Sequence, residues 1–74
     1  MDAPLVVIAI APNEIVARLW EAALADEGIR SLLRPLGPGY GAWASAATLE
    51  HEIAVLATDA DRAREVLAAL DDDP

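Results

Sequence analysis

Cysteine and lysine are absent from this chain of 74 residues, and aromatic side chains are almost absent. Without cysteine there can be no disulfide, no thiolate metal site and no cysteine nucleophile. Without lysine, the only side-chain cations apart from His51 are arginines: five of them against thirteen acids, for a formal net charge of −8. Nucleic-acid binding needs a basic stripe that releases counterions, and none can be drawn here. An anionic membrane surface is disfavoured for the same reason, and the acidity reads as a solubility device. No apolar run is long enough to span a bilayer. Asp2 stands where a secretory signal would carry positive charge, so a cytoplasmic protein is expected. Trp20, Tyr40 and Trp43 are the only aromatics, which requires an aliphatic core.

What is present is a phrase used twice: an apolar run, a polar cap, an amphipathic helix. Leu5-Val6-Val7-Ile8-Ala9-Ile10-Ala11 is bracketed by Pro4 and Pro12, which favour extended chain over helix. Asn13 is a good N-cap, Glu14 suits the helix dipole, and Glu14→Arg18 is a well-oriented i,i+4 pair. Val16, Leu19, Trp20 and Ala23 then recur at helical spacing, flanked by Ile15 and Leu24, which predicts Trp20 mostly buried against a sheet. Gly28 is placed for a left-handed C′ position. The second use of the phrase runs through residues 53–57, then Thr58 or Asp59 as helix start, with Ala63, Val66, Leu67 and Leu70 as the apolar stripe. Between the two lies a strand at residues 30–36, whose arginines and Pro35 defend an edge. A Gly- and Pro-rich connection over residues 37–49 follows it.

The order βαββα, with a right-handed crossover and the third strand hairpinned to the second, predicts a ferredoxin-like α+β sandwich. Its antiparallel sheet has order 1-3-2 and both helices on one face. A single domain fills residues 1–74, with its ordered core at about residues 4–70 and a fraying acidic tail at 71–74. Strand one is apolar on both parities, Leu5 and Val7 on one, Val6, Ile8 and Ile10 on the other. Two helices can cover only one sheet face, and the edge of strand one looks unguarded. A homo-oligomer is therefore expected, most simply a two-fold dimer through Val6, Val7, Ile8 and Ile10.

The first run with Pro12-Asn13-Glu14-Ile15, Ala17, Leu24 and Glu27-Gly28-Ile29, then Val55 through Asp59, Ala63 and Leu67, resembles the DUF2007 family. These are small prokaryotic domains described as signal-transducing. The resemblance covers nearly the whole chain and brings no catalytic residues. Its fold is similar to that of the nitrogen-regulatory PII proteins, which carry a ligand-responsive loop between strands two and three; residues 37–49 hold that place here. The resemblance thus implies a regulatory module.

Candidate sites are sparse. Gly39, Tyr40, Gly41 and Trp43 could close over a small effector or a partner peptide, or the two aromatics could fold back over the bare sheet face. The loop lacks the Gly-Lys-Ser/Thr ending of a phosphate loop. Arg30 and Arg34 share a strand parity and could hold one anion, or they could simply protect the edge. His51, between Glu50 and Glu52, is read as a surface histidine, because strand neighbours point to opposite faces. No metal or cofactor site and no acid–base–nucleophile set can be assembled, so a non-enzymatic module is expected. It would sense a small ligand or a protein partner through residues 37–49; the alternative is a passive assembly domain without a ligand.

Overall fold

A computed structural model describes residues 4–36 and 49–71. The elements are β1 (Leu5–Ala11), α1 (Glu14–Asp26), β2 (Ser31–Pro35), β3 (His51–Leu56), a 3-10 turn (Ala57–Asp59) and α2 (Ala60–Asp71). The sheet is antiparallel with order β1-β3-β2, the ferredoxin-like α+β arrangement. Four strand boundaries moved. β2 is shorter than expected by one residue at each end, and β3 begins two residues earlier, at His51, and ends one residue earlier, at Leu56.

The local chemistry explains where the elements start and stop. The Asn13 side chain accepts a hydrogen bond from the Val16 N–H at 2.9 Å, which satisfies one of the free donors of the first turn of α1. At the other end Ile29 N–H donates to the Leu24 carbonyl and Gly28 N–H to that of Ala25, both at 2.9 Å. This pair of bonds is a Schellman closure, and Gly28 takes the left-handed conformation it requires, φ +77°. Leu24 and Ile29, brought together by the same turn, are both fully buried. Arg62 of α2 donates to the Glu27 carbonyl and so ties the second helix to the end of the first.

The core lies between the helices and one sheet face. His51, Ile53 and Val55 of β3 point into it, together with Ala17 and Leu24 of α1 and Ala60 and Ala63 of α2. Alanine at the helix contacts lets backbones approach closely, at the cost of little apolar area per residue. The buried stripe of α1 runs through Ala17 and Leu24, with Val16 and Trp20 packed at its margin. Leu19, expected on that stripe, is 63% exposed and Ile15 72%. Trp20 is partly buried and packs against the core cluster, as expected of its place on the helix, and it lines a groove with Ile8 and Leu67. On α2, Leu70 also lies outside the core.

One irregularity reorganises β1. Val7 pairs with Ala54 and Ala9 with Ile53, so Ile8 is an extra residue, a β-bulge. The bulge shifts the alternation by one. Ile10 therefore joins Leu5 and Val7 on the side away from the helices, and Ala11 turns into the core with no exposure. The edge of β1 is consequently not a flat, open template. A bulge in mid-strand is itself an edge defence, which corrects the expectation of an unguarded edge.

Candidate interaction surface

The sheet face turned away from the helices carries three short rows of side chains. Register places Leu5 beside Leu56, Val7 beside Ala54 beside Leu32, and Ile10 beside Glu52 beside Arg34. Leu5, Ile10 and Leu32 are each about half exposed, Val7 and Leu56 somewhat less. Ala54 is the smallest residue of the middle row, so a shallow hollow forms between Val7 and Leu32, bounded by Leu5, Arg34 and Glu52. The five large apolar side chains of this face expose on the order of 400 Å², the size of the largest patch on a typical monomer and often a functional one.

Arg34 and Glu52 form the polar border of this hollow. Glu52 Oε1 accepts from Arg34 Nε at 2.9 Å and from Nη2 at 2.5 Å. The Arg34 side chain is 67% exposed whereas that of Glu52 is 20% exposed, so the carboxylate lies down on the sheet while the guanidinium faces water. Arg34 and Glu52 neutralise each other at the border of this hollow, on a protein of net charge −8.

Of the residues singled out for an interface, Val7 and Ile10 lie on the face turned away from the helices, which no described element covers, while Val6 and Ile8 are partly buried against the core cluster. Leu5, Leu32 and Leu56 belong to the surface too. Their exposure was not readable before the pairing register was known. Arg30 and Arg34 do not meet: Arg34 is held by Glu52, and Arg30 lines a separate groove with Arg18, Gly28 and Ser31 between α1 and β2. In that groove Arg18 is already engaged by Glu14 and Glu21, each at 3.4 Å. The Ser31 hydroxyl is buried without a hydrogen-bond partner among the described residues. Gly39, Tyr40, Gly41 and Trp43 lie outside the described residues.

His51 is a correction. It is 4% exposed, because the parity that sends Ile53 and Val55 inward sends His51 with them. Its Nδ1 sits 2.8 Å from the Leu49 carbonyl. Glu52 points to the opposite face, so the ring has no carboxylate partner from that neighbour. Among the described residues, no group of three or more His, Asp or Glu side chains could hold a metal ion, and no helix is long and apolar enough to cross a membrane. No protein-family model, curated protein or solved structure matches this chain.

Proposed function

We propose that the chain is a non-enzymatic interaction module whose working surface is the bare sheet face. The observation that carries this reading is the concentration of Leu5, Val7, Ile10, Leu32 and Leu56 on one side of a three-stranded sheet whose other side takes both helices. Surface hydrophobics scattered singly need no explanation, but a contiguous patch with a polar border is the anatomy of a contact site. The single buried histidine is used in packing and bonds to a backbone carbonyl, which suits a structural duty better than proton transfer. The resemblance to DUF2007 domains supports a regulatory use of the surface over a purely architectural one.

The reading requires the face to be free in the folded monomer. Val7→Thr and Leu32→Thr should therefore each change stability by less than about 0.5 kcal/mol in urea melts at sub-micromolar concentration, as surface substitutions do. A loss of about 2 kcal/mol or more at both positions would show that the face is covered within one chain, and the reading would fail.

A further inference from the structure

We propose that the occupant of the bare face is a second copy of this chain, packed face to face about a two-fold axis running along β3. This rests on the interaction reading above and names the partner. Three observations carry it. The first is charge: two copies that each carry −8 repel wherever acids meet, and the apolar hollow bordered by the mutually neutralised Arg34–Glu52 pair gives them a place to meet with little repulsion. The second is self-complementarity. An axis along β3 lays β2 of one copy over β1 of the other, so Leu32 meets Val7 of the second copy across the Ala54 hollow, and the reverse. It also gathers two arginines and two glutamates into one cluster of zero net charge. The third is the bulge at Ile8, which disfavours the rival assembly, edge-to-edge pairing of β1 into a longer sheet. That rival would also leave the apolar face uncovered.

The area sets the strength. With the Arg34 and Glu52 stems included, the contact buries about 1,000–1,200 Å² over both copies, at the low end of stable interfaces. A reversible dimer with Kd on the order of 10–100 μM is expected.

Sedimentation of the full chain from about 1 to 500 μM tests this, spanning the expected Kd on both sides. The wild type should pass from monomer to dimer across that range. Arg34→Glu puts four negative charges in the cluster and Glu52→Arg four positive ones, so each variant alone should dimerise at least about 10-fold more weakly. An equimolar mixture of the two should recover association to within about 3-fold of wild type, as a 1:1 heterodimer. Val7→Lys should be monomeric throughout, with its fold confirmed by circular dichroism; the charge variants keep the test intact if it does not fold.

A wild type that stays monomeric at the top of the range overturns the proposal. So does a dimer that survives all three substitutions, which would place the interface elsewhere. A mixture that recovers nothing overturns it too, because the ion pair then acts only within one chain. Failure here is separable from failure of the interaction reading. A monomer whose Val7→Thr and Leu32→Thr variants keep wild-type stability still offers a free face to a different protein; a monomer destabilised by both has its face covered by its own residues.

Discussion

Residue by residue, the stability of so small a domain rests on a few side chains, and the exposure pattern says which. Leu24 is fully enclosed between α1 and the sheet and forms one side of the Schellman closure. Leu24→Ala should cost about 3 kcal/mol, from lost transfer energy plus a cavity that helices pinned to a sheet cannot close. Leu19 has the same chemistry five positions earlier, yet Leu19→Ala should change stability by less than about 0.5 kcal/mol, because its side chain is mostly in water. Trp20→Ala should fall between, at about 2 kcal/mol, since only part of the indole lies against the core. Denaturant melts of the three variants check the ranking, and a Leu19 effect equal to that of Leu24 would place the helix stripe wrongly. Ser31 shows the reverse economy. Its register partner is Val55, so its hydroxyl sits on the core side of β2, where it has no described partner.

At the scale of elements, the turn from α1 into β2 sets where the second strand begins. Gly28 adopts φ +77°, and a Cβ built there would touch nothing within 4 Å. The requirement is therefore conformational rather than steric. Gly28→Ala should lose about 1–2 kcal/mol through the left-handed backbone alone, with no change in oligomeric state or fold. Gly28→Asn should recover part of the loss, because asparagine tolerates that region better than alanine. Equal melting of the Ala variant and the wild type would show that the closure is not needed. The helices themselves owe little to charge. Arg18 serves both Glu14 and Glu21, and Arg64 lies 3.3 Å from Asp61, but all are exposed pairs one turn apart and each contributes only tenths of a kcal/mol.

For the whole molecule, the dominant facts are small size and one-sided charge. A domain of this length buries only about 60% of the surface its unfolded chain exposes, so its net stability is a small margin. A charge of −8 reduces that margin by self-repulsion, and salt screens the repulsion. Raising NaCl from about 10 mM to 0.5 M, which shortens the Debye length from about 30 Å to a few ångström, should therefore raise the melting temperature of the monomer by several degrees. Measured by Trp fluorescence at sub-micromolar concentration, a melting temperature that fell with salt would show that the arginine pairs outweigh the repulsion. In the proposed dimer the same charge would limit where two copies touch, favouring the side that carries the mutually neutralised Arg34–Glu52 pair.

The order of elements, the 1-3-2 sheet and the placing of both helices over one face were legible in the sequence, because each rests on local signals. Pro4 and Pro12 bound β1, Asn13 caps α1, Gly28 closes it, and the repeated strand-cap-helix phrase with a short return strand between its two uses leaves little choice of topology. The composition of the sheet face turned away from the helices was legible only in part. Val7 and Ile10 were singled out, but so were Val6 and Ile8, which face inward. Only the tertiary structure decided this, because the bulge at Ile8 arises from the pairing of β1 with β3, and a single extra residue exchanges the two faces of everything beyond it. The burial of His51 has the same origin: its side follows from the register of β3, which local polarity does not report. The face of α1 that turns inward was likewise settled by packing. Ala17, with its small side chain, lets the helix approach the sheet, and that choice leaves the larger Leu19 and Ile15 in water.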